Sequence, residues 1–123
     1  MTGVKMLVQS GMSSNQYIPD RGDIVWVILD PRIGHEQSGR RPAIVLSRKQ
    51  LTEHTRLAVI CPITSKVKGL PFELRIKTKK IDGAILPIHV RSIDAVARNV
   101  TFIEKSSEEV LRKTSSAVEL IMS

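Results

Sequence analysis

The apolar residues of this chain fall in short β-branched runs, each cut off by proline, glycine or a polar loop, until one helical stripe begins near the carboxyl end. That punctuation constrains the fold more than any other feature. Residues 23–29 are rich in Val and Ile around Trp26 and apolar on both faces, so they read as a central strand. Residues 42–47 and 57–62 read as two more strands, with a turn or single helical turn over 48–55 between them. In 72–76 the pattern alternates: Phe72, Leu74 and Ile76 point one way and Glu73 and Arg75 the other, a strand with one wet face. Residues 77–83 read as a turn with Asp82-Gly83 as its hairpin signal, and strands over 84–90 and 99–104 follow. The spacing from Ser106 to Glu109 suits a capping box, opening a helix whose Val110, Leu111, Val118, Ile121 and Met122 share one stripe.

About six short strands and a terminal amphipathic helix predict a mainly β fold, a small barrel or strongly bent sheet with the helix as its cap. A length of 123 residues suits one such core, here placed over 17–123, and not two. Residues 1–16 show no periodicity and read as a flexible tail; they lack the sustained apolar stretch of a signal peptide. No apolar run approaches the ~18 residues of a membrane span. The single cysteine, Cys61, lies in an apolar run and reads as a small buried residue, which fits a reducing cytoplasm. No spacing of His, Cys, Asp and Glu suits zinc and no glycine-rich phosphate loop is present, so neither metal nor nucleotide cofactor is expected.

The formal charge of +7 is unevenly spread. Residues 32–98 carry 14 basic and five acidic side chains, net +9, while the flanking parts are near neutral. A field concentrated in this way is what a phosphate-binding protein presents, although an acidic protein partner would be attracted equally. Aromatics make up only 3% of the chain, too few for a broad single-strand stacking surface.

Two polar loops adjoin these strands. The first, 34–41, gathers His35, Glu36, Gln37, Arg40 and Arg41. Cutting RNA without a metal requires a 2′-OH to be deprotonated, the phosphorane charge to be stabilised and the leaving oxygen to be protonated. A carboxylate suits the first task, and an arginine fork, charged at any physiological pH, suits the second as an electrostatic partner. Pro42 and the strand after it fix the backbone of Arg41, whereas Arg40 reads as a mobile surface charge. The second loop, 62–69, offers Thr64 at a strand end with Lys66 and Lys68 beyond it. His54 reads as a surface residue and His89 as a partly buried one. On the residues alone, each loop could equally be a solvated connection.

The ordered blocks resolve that choice. Pro-Asp-Arg-Gly-Asp-Ile-Val-Trp over 19–26, then Gly-His-Glu-Gln-Ser-Gly-Arg-Arg-Pro-Ala-Ile-Val-Leu-Ser over 34–47, resemble the opening of the MazF/PemK toxin family. Pro-Ile-Thr-Ser over 62–65, Lys-Gly-Leu-Pro-Phe-Glu over 68–73 and Val-Arg-Ser-Ile-Asp over 90–94 resemble its later blocks, in order. The resemblance implies a homodimeric barrel with an SH3-like core, on the scaffold shared with CcdB-type toxins. It also implies a ribosome-independent endoribonuclease that cuts single-stranded RNA to 2′,3′-cyclic phosphate and 5′-hydroxyl ends and is neutralised by a cognate antitoxin with an acidic flexible segment. Carried over by position, the family's catalytic arginine falls on Arg41, its threonine on Thr64 and the glutamate used by some members on Glu36. Glu36 is then the expected acceptor of the 2′-OH proton, with His35 in reserve; Arg41 stabilises the phosphorane and Thr64 positions the phosphate. Lys68 and Arg91 match positions near bound RNA, and His35, Gln37, Arg40 and Lys66 complete the expected RNA contacts. Two departures, His89 where the family often has Gln and Ala95-Val96 where it often has a second Trp, bear on the sequence recognised. The alternatives are a topoisomerase poison of the CcdB type and a non-catalytic RNA-binding barrel.

Overall fold

Pairing of strands is governed here by runs that are apolar on both faces, because the sheet they build has a core on each side. A computed structural model describes residues 16–29 and 39–123; the expected tail except Gln16, and His35, Glu36 and Gln37, lie outside the described residues. The strands are β1 (Asp23–Ile28), β2 (Arg40–Val45), β3 (Leu57–Thr64), β4 (Leu74–Lys77), β5 (Asp82–Ile85), β6 (Arg91–Asp94) and β7 (Thr101–Lys105), with helices α1 (Lys49–Thr55) and α2 (Glu108–Met122). The sheet runs β4-β5-β3-β2-β1-β7, and β6 adds to β3 off that path. Every pairing is antiparallel, with Ile24 opposite Ile44, Trp26 opposite Pro42 and Ile28 opposite Arg40 between β1 and β2. Ile44 in turn faces Cys61 on β3.

On one face, Val25, Val27, Ala43, Val45, Ala58, Ile60, Ile93, Ala95 and Val100 form a cluster with Tyr17 and Leu29 at its edge. On the other, Ile24, Ile44, Cys61, Ile63, Ile76, Ile81 and Ile85 pack together beneath Val110, Leu111 and Val118 of α2. Each fully buried Ile or Val contributes about 1.5–3 kcal/mol, so the two clusters hold the fold. The one buried carboxylate of the core, Asp23, is satisfied by the Tyr17 hydroxyl, the Asp20 N–H at 3.0 Å and the Lys105 ammonium at 2.9 Å. Burial and that carboxylate push the Tyr17 phenol upward.

Several expectations change. The segment over 84–90 is not one strand: β5 ends at Ile85, Pro87 lacks the N–H a ladder needs, a 3₁₀ turn spans Pro87–His89, and β6 follows as a seventh strand. The turn joining β4 to β5 is at 78–81, closed by the Thr78 N–H on the Ile81 carbonyl at 2.7 Å, so Asp82 and Gly83 already belong to β5. Phe72 does not share a face with Leu74 and Ile76; it precedes β4, exposed, with φ of 67°. Residues 49–55 form a seven-residue helix that ends at Arg56, whose φ is 68°. The cap of α2 is Ser107, whose hydroxyl accepts from the Val110 N–H at 3.1 Å, and not Ser106. Met122 lies off the buried stripe, 74% exposed. No helix among the described residues is long and apolar enough to cross a membrane.

Candidate functional site

β1 and β2 run on past the second core, and their far ends leave it together with the end of β3 and the turn before β5. Between them opens a groove of about 450 Å³, lined by Trp26, Arg40, Arg41, Pro42, Ile63, Thr64, Ser65, Lys66, Lys80, Ile81 and Asp82. Arg41 near the start of β2 and Thr64 at the end of β3, 23 residues apart in sequence, therefore share one concavity. The Leu29 N–H donates to the Gly39 carbonyl at 3.1 Å, and the Arg98 guanidinium donates to the Leu29 carbonyl at 3.1 Å. The chain on either side of 30–38 is thus pinned at the Arg40 end of the groove.

Arg41 is fixed in β2 opposite Val27 as expected, but Arg40 is not a free surface charge. Arg40 is exposed, but its guanidinium carbon sits 4.3 Å from the centroid of the Trp26 ring. The register explains the contact: Trp26 faces Pro42 and Ile28 faces Arg40, so Trp26 and Arg40 are diagonal neighbours on one face. Arg41 is also exposed, and its Nη1 donates to the Arg40 carbonyl at 3.1 Å. Thr64 is half-buried at the end of β3; its hydroxyl oxygen accepts the Lys66 N–H at 3.1 Å, leaving the hydroxyl hydrogen to donate to a ligand. Among the described residues four cations line the groove against one carboxylate, Asp82, which is paired at 2.7 Å with Arg75 and held below the usual carboxylate range by it. The groove therefore joins an excess of positive charge to a hydroxyl donor and a guanidinium that lies over an indole ring.

Thr64 and Lys66 also border a second, apolar cavity of about 170 Å³, walled by Leu70, Pro71, Phe72, Leu86, Pro87 and Ile88. Lys68 and His89 belong to this cavity; His89 is exposed rather than partly buried. Glu73 shapes its rim by accepting the N–H groups of Lys68 and Gly69 at 3.0 and 2.9 Å. Arg91 reaches neither space: it opens β6 opposite Ile60, four residues before Thr64. Sequence reasoning missed Trp26, Ser65, Lys80 and Asp82 as groove residues. Trp26 carried only a core-strand signal, and Lys80 and Asp82 sat in what read as a plain turn. Gly83 was missed for a related reason. A Cβ there would lie 2.2 Å from the Thr64 carbonyl oxygen, so its role is to let β5 approach the site. Among the described residues no three His, Cys, Asp or Glu side chains gather closely enough to hold a metal ion.

With this geometry in hand, likeness to known proteins is informative. The family described as PemK-like, MazF-like toxin of type II toxin-antitoxin system matches residues 20–122. The endoribonuclease toxin MazF of Escherichia coli strain K12 is 35% identical over 108 residues, covering 88% of this chain and 97% of that protein. A crystal structure of MazF from Deinococcus radiodurans superposes with a TM-score of 0.79 at 36% identity, covering 87% of this chain and 98% of the other. A crystal structure of a MazE–MazF complex from the same organism gives 0.78 at 34% identity, covering 86% and 97%. A half-barrel of antiparallel strands with a terminal helix, a cation-lined groove between strand ends and a match across nearly the whole described chain agree: the protein belongs to the PemK-like, MazF-like toxins of type II toxin–antitoxin systems.

Proposed function

We propose that this protein is the toxin of a type II toxin–antitoxin pair and acts in the cytoplasm as a sequence-specific endoribonuclease on single-stranded RNA, independently of the ribosome and of a metal. The observation that carries the proposal is the convergence of Arg41 and Thr64 in one cation-lined groove. The 2′-oxygen attacks the adjacent phosphorus as Glu36 takes its proton, with His35 in reserve. The P–O5′ bond then breaks and the leaving 5′-oxygen takes a proton from water, yielding 2′,3′-cyclic phosphate and 5′-hydroxyl ends. Arg41 stabilises the charge that gathers on the non-bridging oxygens, and Thr64 donates its free hydroxyl hydrogen to one of them. His35, Gln37, Arg40 and Lys66 hold the nucleotides beside the cut, and Lys68 and Arg91 hold the strand further away. The active form is a homodimer of the 17–123 domain, neutralised by a MazE-like antitoxin whose acidic flexible segment is drawn to the +9 middle of the chain.

Purified protein is incubated with a long RNA and the new 5′ ends are mapped. Cuts at a recurring short sequence, with ends that a kinase labels without prior dephosphorylation, are expected. Arg41→Ala should lower the rate by roughly 10²- to 10³-fold, as loss of a transition-state charge contact does elsewhere. An Arg41→Ala protein that cuts at the wild-type rate would sink the assignment.

A further inference from the structure

We propose that Arg40, carried over the face of Trp26, is a preformed stacking platform for one nucleobase beside the scissile phosphate, which makes this pair a positioning and specificity element of the groove. The inference rests on the endoribonuclease reading above. Trp26 is the chain's single tryptophan and is held rigidly, with Pro42 opposite it on β2 and Thr101 opposite it on β7. Its ring is half-buried and is covered by the Arg40 guanidinium at 4.3 Å. One side of that guanidinium is thereby occupied, while Arg40, still exposed, lines the groove that also holds Arg41 and Thr64.

An arginine plane presented in this way stacks well on a base, because it is flat, weakly hydrated and already ordered. The contact is available to any base through its π-face, and the groove edges around it then select among bases. A phosphate is served differently, through the N–H edges of a guanidinium and by point charges such as Lys66 and Lys80. The role of Arg40 is therefore separable from that of a simple cation.

The probe is a short single-stranded RNA spanning one mapped cut site, with a 2′-O-methyl group at the cut nucleotide so that it binds without reacting. Saturating RNA is expected to change the emission of Trp26, the only indole in the protein. Arg40→Ala and Arg40→Lys should both weaken binding by roughly 5- to 50-fold, within the range for loss of one base stack. Replacing the stacked nucleotide by an abasic one should erase the difference between wild type and Arg40→Ala. Both variants should stay folded with only a small fall in melting temperature, since Arg40 is exposed and loses a single cation–π contact. The proposal is overturned if Arg40→Lys binds like wild type, if no abasic position removes the Arg40→Ala penalty, or if Trp26 emission ignores saturating RNA that the protein does cut. A wild-type protein that neither binds nor cuts RNA overturns the functional reading, and this inference with it.

Discussion

Replacing Gly83 by alanine tests the link between packing and chemistry most directly. A Cβ at position 83 would stand 2.2 Å from the Thr64 carbonyl oxygen and 3.0 Å from its carbon, where ordinary contact begins at 3.4 Å. The shortfall to that oxygen is about 1.2 Å, and both atoms are backbone, so no side chain can swing away. The Gly83 carbonyl is itself held by Arg75 at 2.6 Å and Thr64 is paired with Ala84, so neither strand is free to retreat. A Gly→Ala change at an unstrained site stabilises by about 0.4–1 kcal/mol through the unfolded chain. Overpacking costs about 1–3 kcal/mol and should win here. Gly83→Ala is thus expected to be less stable than wild type by about 1–2 kcal/mol, read as a lower urea midpoint at unchanged slope. Displacing Thr64 by about 1 Å should also slow single-turnover cleavage by the folded fraction on the order of 10²-fold. A Gly83→Ala protein with the wild-type midpoint would refute the close approach. Lowered stability with undiminished single-turnover cleavage would instead refute the role given to Thr64.

Three further outcomes are expected. Thr64→Val keeps the shape but removes the donor, so cleavage should fall by roughly 10²-fold while stability changes by about 1 kcal/mol or less; equal rates would remove Thr64 from the site. Burial pushes the Cys61 thiol up to about 12, leaving on the order of one thiolate in 10⁴ at pH 8, so an aromatic disulfide reagent should react only as the protein unfolds. Rapid labelling of the native protein would contradict this packing. Asp20 is held below its ordinary range chiefly by the Lys49 N–H, and Asp94 is held there by the Ala97 N–H, Arg56 and the Val96 N–H, which together outweigh its desolvation. Lowered native values mean that their stabilisation is complete above the unfolded carboxylate pKa and is lost as pH falls through the native ones. The urea midpoint should therefore drop below about pH 4, with a smaller drop in Asp94→Asn; identical acid profiles would exclude Asp94 as a contributor.

Much of the architecture was legible in local pattern. The runs around Val25, Ile44 and Ile60 announced strands buried on both faces, because β-branched residues without alternation suit a sheet with two cores. The stripe through Val110, Leu111 and Val118 announced a packed helix. Less legible were boundaries set by single backbone groups: Pro87 ending β5, Ser107 capping α2, and Phe72 turning out of β4 at a positive φ.

The loop that holds Arg41 and the strand end that holds Thr64 were both identifiable as residues suited to phosphate chemistry, and their order along the chain carried the family resemblance. That they share one groove was a matter of how β2 pairs with β3, just as a one-residue slip of β2 against β1 would send Arg40 and Trp26 to opposite faces. Tertiary structure likewise decided that Gly83 serves a close approach and not a turn, and that the Arg40 guanidinium lies over Trp26. The division has a physical cause. Composition and periodicity act within a few residues, so they determine which segments become strands and which stay polar. Stacking on Trp26, the 2.2 Å approach to Thr64 and the convergence of two distant loops depend on how those strands pair, which no local pattern encodes.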